Sequence, residues 1–542
     1  MIQQRREFSV AEFDYVIVGA GPAGCALANR LSADPDVSVL LIEAGDQDTN
    51  PMISIPGAAA QLFGDPDAMW FHPTHPFGPA GEPEVWLRGK TLGGSSSVNG
   101  MVYNRGSRED YDELERLGNP GWGWDHILAA YKEIEDNPFG ASDVRGAGGP
   151  LRVSTRTEGD PLLDDVIDAG GELGWQRAED LNENDDERVG YTMATIRDGL
   201  RVSAAGAFLH PVAERDNLTV AVHTTVDRVV IEDGRAVGVL GRQDGEAFEA
   251  TATREVILAA GALASPKILQ LSGVGPAETL REAGVDVVVD SPNVGARMRE
   301  HRAFQMQVRL TEDLGYNKIL STPEGQQAAM VEYQTSQTGV LAAPAFEIVG
   351  FFKTRPDLDR PDAQFQIAPF SIAPREQGKA LEIEREPGMM GIGYALRPTS
   401  EGSVRITSAD PDAPVDIDAN YLDTEYDRTT TVAIFRTLRG LFGTGPLAKR
   451  VERETLPGPE VDTDQEIQDF ALTVGSAGYH AVGTCAMGPN DDDVVDSRLR
   501  VRGVANLRVV DASVFPTLVS GNLNGPVSAL GWRAADLIIE DA

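Results

Sequence analysis

Three glycines near the start of the chain carry the clearest chemical signal. Gly19, Gly21 and Gly24 follow the apolar run 15–18 and precede a stretch with helical spacing of apolar residues. A strand, a glycine turn and a helix N-terminus in this order let the backbone approach a pyrophosphate, because free N–H groups and the helix dipole favour anions. Glu43 ends the next predicted strand, where a carboxylate can accept a hydrogen bond from a ribose hydroxyl. We therefore predict a dinucleotide site; the alternative is a plain tight turn.

A second stretch of small residues, 88–101, could lie against a planar ligand. Gly93, Gly94 and Ser95 open a run of hydroxyl and backbone N–H groups that can pack flat on a ring system or cradle phosphate. A flexible linker is the alternative interpretation. The apolar residues Val98 and Met101 argue against a linker.

The composition limits the classes of partner. The chain has 542 residues, of which 41% are hydrophobic, so two domains or one large domain with insertions are expected. It is an acidic protein, with 84 acidic against 47 basic residues and a net charge of −37. This charge argues against nucleic acid and anionic membrane surfaces as partners. Solubility, a biased genome or a salt-adapted source would each explain it.

Cysteine and histidine usage predicts no metal site. The chain has two cysteines, Cys25 and Cys485, and seven histidines, with neither an HExxH nor a CxxC motif. Residues 1–13 are polar and charged, unlike a signal peptide. We find no apolar run long enough for a transmembrane helix. A cytoplasmic location is therefore expected.

Two kinds of periodicity divide the rest of the chain. The apolar run 255–262 leads into a helix that Ser265 and Pro266 are predicted to start, forming a second strand–helix unit. From about residue 303 to 465 the pattern changes to strict alternation, seen in 304–310, 363–367 and 403–407. Alternation of this kind predicts an antiparallel sheet with one covered face.

Several motifs in order resemble one family, the glucose–methanol–choline (GMC) flavin oxidoreductases, over essentially the whole chain. Residues 89–112 match its first signature and residues 261–275 its second. The C-terminal stretches 479–485, 511–513 and 521–524 complete the set. The resemblance implies an α/β (α+β two-domain) fold, with a Rossmann-like FAD-binding domain and a substrate domain built on an antiparallel β-sheet flanked by helices.

The resemblance also implies domain limits and a cofactor site. The FAD-binding domain would comprise 1–155, 200–302 and 474–542, and the substrate-binding domain 156–199 and 303–473. The implied FAD contacts cluster in the glycine turns and the C-terminal motifs. They are Gly19, Gly21, Pro22, Ala23, Gly24, Glu43, Ala44, Arg88, Leu92, Gly93, Gly94, Ser95, Asn99, Gly100, Met101, Val102, Val226, Ala260, Gly261, Asp511, Ala512, Asn522 and Asn524. Val98 stands where some members carry the histidine that bonds to the flavin, so non-covalent FAD is predicted.

The resemblance assigns catalysis to His480 and Asn524. His480 would act as general base, since imidazole titrates near neutrality. Asn524 would orient the substrate oxygen, although Asn522 lies close enough to be mistaken for it. Glu300 and His301 are interpreted as structural or supporting; Asp is usual at position 300 in the family.

The expected reaction is oxidation of a primary alcohol to an aldehyde by hydride transfer to flavin N5. Electrons would pass to O₂ or another acceptor, which leaves oxidase or dehydrogenase open. A flavin-dependent lyase, a photodecarboxylase and an NAD-linked dehydrogenase are the alternatives. The substrate is not named by the sequence, although Glu347 beside Phe346 would suit a choline-type cation. An oligomer is possible.

Overall fold

The computed structural model describes residues 11–373 and 382–542. Residues 1–10, which belong to the segment predicted to be unlike a signal peptide, lie outside this part. Two large sheets organise the described chain, and helices cover both of them.

The first sheet combines parallel and antiparallel strands. Its parallel strands, in spatial order, are Leu218–Ala221, Val39–Ile42, Ala11–Val18, Glu246–Leu258 and Leu507–Val509. The antiparallel strands Arg235–Gln243 and Thr224–Glu232 extend it from the long strand Glu246–Leu258. The central segments 15–18, 39–42, 256–258 and 507–509 of these strands are buried and, apart from Arg508, apolar, as expected where helices cover both faces. The predicted strand–turn–helix at the start of the chain and the second strand–helix unit both belong to this sheet.

Two helices pack tightly against each other at this sheet. The helix Pro22–Leu31 lies beside the last helix, Asn524–Asp541. A side chain at Gly531 would overlap the backbone of Ala23, so this glycine permits the close approach. The packing brings the end of the chain beside the first glycine turn.

The second sheet is antiparallel apart from one short edge pair. Its strands, in spatial order, are Val451–Leu456, Arg302–Leu310, Gly388–Ala395, Ala363–Ala368, Ile348–Phe352, Arg188–Tyr191 and Gln176–Arg177. The strand Ser476–Ala477 pairs with Arg302–Leu310 at its other end.

The expectation that this sheet has one covered face was wrong. Every residue of Ala363–Ala368 and of Ile348–Phe352 is buried. The helices Pro161–Glu172 and Glu425–Phe442 pack on one face, where Phe304 and Phe365 lie. On the other face, Gln364 and Gln366 donate hydrogen bonds to Asn522 in the C-terminal loop.

The remaining elements refine the predictions. The strands Met69–Pro73 and Val85–Gly89 form an antiparallel pair. The helix Gly261–Leu271 begins before Ser265, so Pro266 lies inside it.

The other helices are Pro51–Ser54, Arg108–Arg116, Trp124–Ile134, Ala277–Glu282, Asn317–Ser321, Pro323–Ser336 and Asp464–Val474, with a π-helix at Ala205–Leu209 and 3₁₀ turns at Pro56–Leu62, Gly94–Ser97, His210–Val212, Val340–Ala342, Leu447–Lys449 and Ala512–Val514. The remaining short strand pairs are Glu135–Asp136 with Leu151–Arg152, Ile196–Arg197 with Leu200–Arg201, Val274–Gly275 with Val289–Asp290, and Ser403–Arg405 with Asp416–Asp418.

The strands of the second sheet can be compared with the predicted domain limits, although they do not define those limits. Arg188–Tyr191 joins the second sheet, as expected for the predicted insertion 156–199. Ser476–Ala477 also joins it, although the predicted boundary falls at 474. The domain limits stay a prediction. In the two described ranges, no helix combines the length and apolar character needed to cross a bilayer.

Candidate active site

The first glycine turn is tight on one side and open on the other. Gly19 has φ +102°, and a Cβ there would overlap the backbone of Ala259. A Cβ on Gly24 would overlap the carbonyl oxygen of Gly19. At Gly21, by contrast, no described atom lies within 4 Å of the Cβ position apart from those of Gly21 and the adjoining residues. The helix Pro22–Leu31 begins at this opening, so its N-terminus can receive a phosphate.

Glu43 is fixed beside this turn. Its Oε2 accepts from the backbone N–H of Ala20 at 3.0 Å, and its Oε1 accepts from that of Gly45 at 2.9 Å. Burial raises the pKa of Glu43 to about 7. The predicted neighbour Ala44 follows the buried strand Val39–Ile42, at the carboxyl edge of the sheet where such folds bind ligands.

The small-residue stretch lies against the same turn. Gly93 and Gly94 have φ of +85° and +53°, and the backbone N–H of Gly93 donates to the carbonyl of Ala20 at 2.8 Å. A Cβ on Gly94 would contact Cα of Gly21. The structure therefore brings the predicted residues Leu92 to Ser95 together with the first glycine turn.

The rest of this stretch bends around Asn99. Asn99 Oδ1 accepts from the N–H of Met101 at 3.0 Å and from Arg201 at 2.9 Å. Met101 has φ +62°, and apart from Gly100 and the adjoining residues no described atom lies within 4 Å of the Cβ position of Gly100. Val102, also predicted, forms a bridge with Ala194. This part of the stretch also leaves room for a ligand.

The second glycine turn meets the C-terminal motif through Asp511. Its Oδ2 accepts from the N–H of Gly261 at 2.9 Å and from the hydroxyl of Ser265 at 2.5 Å. Burial raises the pKa of Asp511. The neighbours Ala260 and Ala512 are thereby placed at the same edge of the sheet. The side of Gly261 that would carry a Cβ is open within the described part of the chain.

Val226 belongs to the strand Thr224–Glu232, which starts beside Glu43. The N–H of Thr224 donates to the carbonyl of Glu43 at 2.9 Å. The contacts among the glycine turns, Glu43 and this strand bring most of the predicted cofactor residues into one region.

Glu300 fixes the backbone at His480. Oε1 of Glu300 accepts from the backbone N–H groups of His480 at 2.7 Å and of His301 at 2.8 Å. Burial raises the pKa of Glu300 to about 7, and Arg88, whose guanidinium lies 3.7 Å away, partly offsets this. Arg88, predicted to contact the cofactor, thus also faces the carboxyl group that fixes His480.

The ring of His480 has a partner at each nitrogen. Its Nδ1 lies 2.9 Å from Nδ1 of His301, and its Nε2 lies 3.3 Å from Nδ2 of Asn522. Burial, the neighbouring His301 and Arg88 together lower the pKa of His480 well below its ordinary value. The imidazole is therefore neutral near pH 7 and able to accept a proton.

Asn522 is the centre of a side-chain amide cluster. Its Oδ1 accepts from Asn104 at 2.8 Å, from Gln364 at 3.0 Å and from Gln366 at 3.2 Å. This fixes the amide with Nδ2 toward His480. Sequence reasoning missed the two glutamines: their alternation along the strand was taken for a solvent-facing pattern, whereas both are buried.

Asn524, the predicted catalytic partner, is the first residue of the helix Asn524–Asp541. Its Oδ1 is buried and makes no hydrogen bond to any described residue. The side chain that faces Nε2 of His480 is Asn522, two positions earlier. An orphaned buried oxygen at this place calls for a donor from outside the protein.

The residues present fit a dinucleotide cofactor. Open space at Gly21, Gly100 and Gly261, together with the orphaned oxygen of Asn524, is what such a group would fill. Val98 is buried against Ile53 and other apolar residues. Within the two described ranges, no group of His, Cys, Asp and Glu could hold a metal ion.

Comparison with known proteins identifies the family. The profiles of the GMC oxidoreductase family match residues 13–303 and 398–531. The chain is 38% identical to "Alcohol dehydrogenase [acceptor]" of Pseudomonas putida, covering 97% of this chain and 96% of that protein. It is also 38% identical to "Choline dehydrogenase, mitochondrial" of Homo sapiens, covering 97% and 90%.

A solved structure agrees. The structure of pyridoxine 4-oxidase from Mesorbium loti superposes with a TM-score of 0.87 at 32% identity, covering 97% of this chain and 98% of the other. The chain therefore belongs to the GMC oxidoreductase family, and it is an FAD-dependent oxidoreductase that acts on the CH–OH group of its donor.

Proposed function

We propose that the enzyme oxidises an uncharged primary alcohol to its aldehyde, with His480 as general base and FAD held without a covalent bond. The observation that carries the proposal is the imidazole of His480, which has His301 at one ring nitrogen and Asn522 at the other. Electrons then leave to O₂ or to another acceptor.

Different groups accept the hydride, accept the proton and stabilise the charge on the substrate oxygen. FAD, when bound, supplies the acceptor for the hydride that leaves the substrate carbon. Nε2 of His480 takes the hydroxyl proton, and the amide Nδ2 of Asn522 donates to the substrate oxygen as negative charge develops on it. Asn524, at the start of the last helix, is proposed as a second amide at this oxygen, as the family resemblance implies. Residues of both glycine turns and Glu43 would hold the dinucleotide.

The proposal of an uncharged substrate rests on the surroundings of Glu347. This carboxylate, a candidate for binding a choline-type cation, is 3% exposed and accepts hydrogen bonds from Arg156 and from the hydroxyl of Tyr316. An ion pair with Arg156 leaves no net negative charge for a quaternary ammonium group. Glu347 therefore offers no unpaired carboxylate to choline, and on this ground we propose a neutral alcohol, although the relatives include choline dehydrogenases.

Replacing the base tests the proposal. His480→Gln should slow flavin reduction by an alcohol under anaerobic stopped-flow conditions by about 10²–10⁴-fold, the usual contribution of a general base. The FAD content should stay normal. His126→Gln, on an exposed face of the helix Trp124–Ile134, is the matched control and should reduce at the wild-type rate. A His480→Gln enzyme that reduces as fast as the control contradicts the proposal.

A further inference from the structure

A chain of hydrogen bonds runs from a backbone carbonyl to the catalytic imidazole. Nε2 of His301 lies 2.9 Å from the carbonyl oxygen of Leu396. A carbonyl oxygen can only accept, so Nε2 of His301 must carry the proton of this hydrogen bond. The proton position in this hydrogen bond does not depend on how any side-chain amide is oriented.

The next link follows from the neutrality of His301. The side chain is completely buried and stacks on the ring of Tyr394, with centroids 4.6 Å apart. Burial lowers the pKa of His301 to about 4. A neutral imidazole has a single N–H, which already points to Leu396, so Nδ1 of His301 can only accept.

The charged groups around the pair also keep both rings neutral. Arg88 and Arg397 oppose a positive charge on His480 and His301, respectively. Oε1 of Glu300 accepts from the backbone N–H groups of both residues, and not from either ring. Within the described part of the chain, neither ring has a hydrogen bond to a carboxylate.

We propose that His301 is a positioning residue that sets the tautomer of His480. Nδ1 of His480, 2.9 Å from the accepting nitrogen of His301, carries the hydrogen, so Nε2 is the unprotonated nitrogen. The last hydrogen bond of the series is consistent with this tautomer, because the N–H of Asn522 Nδ2 points to the lone pair of His480 Nε2. The fold thus delivers His480 with its basic nitrogen facing the place proposed for the substrate hydroxyl. This inference rests on the proposed role of His480.

A matched pair of variants separates tautomer control from space filling. His301→Asn keeps an acceptor oxygen near the position of Nδ1, whereas His301→Leu has a similar volume and no acceptor. Flavin reduction in His301→Leu should fall by about 10²–10⁴-fold, the cost of a wrong tautomer or a lost base. His301→Asn should recover most of this loss, with FAD bound in both. Equal losses in the two variants would mean that His301 only fills space.

Nitrogen-15 NMR of the holoenzyme tests the same point without any turnover. Imidazole nitrogens that carry hydrogen resonate far from those that do not, and comparison with His480→Gln assigns the His480 signals. The proposal requires a protonated Nδ1 and an unprotonated Nε2 in the wild type. It also requires a mixture of tautomers in His301→Leu. A wild-type His480 with hydrogen on Nε2 overturns the inference, even if His480 proves to be the base.

Discussion

The side-chain nitrogen of Asn522 lies 3.3 Å from Nε2 of His480, and three other side-chain amides hold the oxygen of Asn522 on its far side. This arrangement places an amide donor at the lone pair of the base, and the substrate hydroxyl must take this position before its proton can move to Nε2. It joins a strand of the second sheet, through Gln364 and Gln366, to the loop before the last helix. The surroundings of the base therefore depend on the contact between this strand and the loop.

Asn522→Asp should disable the base while keeping its surroundings. A carboxylate can still accept from Asn104 and the two glutamines, but toward His480 it accepts instead of donating. The nearby negative charge should raise the pKa of His480 and keep a proton on Nε2. We expect flavin reduction at neutral pH to fall by about 10²-fold or more.

The pH profile is the decisive readout for this variant. Activity of Asn522→Asp should recover as the pH rises, because the proton on Nε2 is then lost. A variant with wild-type rates and an unchanged profile would show that Asn522 does not face the base during turnover.

Glu300→Gln should change how stability depends on pH. The pKa of Glu300 is raised by burial to about 7 from 4.5, so the folded state keeps this proton longer than the unfolded state does. Between these two values its contribution to the free energy of unfolding falls as pH rises, and the loss remains above them. Relative to wild type, the Gln variant should gain about 1–3 kcal/mol between about pH 5 and pH 8.

Chemical denaturation of the holoenzyme across this pH range measures the difference. Oε1 of a glutamine still accepts the two backbone N–H groups, so activity should be largely kept. Glu300→Ala removes that acceptor and should lower the rate of flavin reduction. A wild-type-minus-Gln difference that does not vary with pH would contradict the assigned shift.

Asp110 should be essential for stability because it anchors the loop that carries Asn522. It is buried and accepts from Ser107, from Arg360 at 2.6 Å, and from the N–H and hydroxyl of Ser520 at 2.8 and 3.0 Å. Asp110→Ala leaves Arg360 without this partner and should cost about 3–5 kcal/mol of unfolding free energy.

The control is the nearby exposed carboxylate Glu109, which pairs only with Arg116 at the surface in the described contacts. Glu109→Ala should change stability by less than about 1 kcal/mol. Similar losses in both variants would show that the buried network adds nothing specific.

FAD should leave the protein on denaturation. Val98 is buried among apolar side chains at the position where some family members attach the flavin through histidine. Acid precipitation should therefore leave a yellow supernatant and a colourless pellet. Colour that stays in the pellet would indicate a covalent bond at another residue.

The sequence predicted the individual parts of the site better than the contacts between them. The glycine turn at Gly19 and the acid Glu43 depend on neighbours in the chain, so spacing alone located them. The contact between His480 and His301 joins residues far apart in sequence, and no periodicity reports it.

The polar strand 363–368 shows why the rest was missed. Gln364 and Gln366 alternate with Phe365 and Ile367, a pattern typical of a sheet with one wet face. Here the polar face is buried because it binds Asn522. A period-two pattern shows on which face of the sheet a residue lies. It does not show whether that face contacts water or a buried cluster of side-chain amides.

The most direct test is the visible spectrum of the holoenzyme under anaerobic conditions during titration with 1-butanol, 1-octanol, benzyl alcohol and choline. We predict that at least one neutral alcohol bleaches the flavin bands faster than choline does, that the aldehyde forms in equal amount, and that His480→Gln stays coloured over the same time. Bands that only choline bleaches would contradict the proposed substrate class. Bleaching by an alcohol at the same rate in wild type and His480→Gln would contradict the central claim.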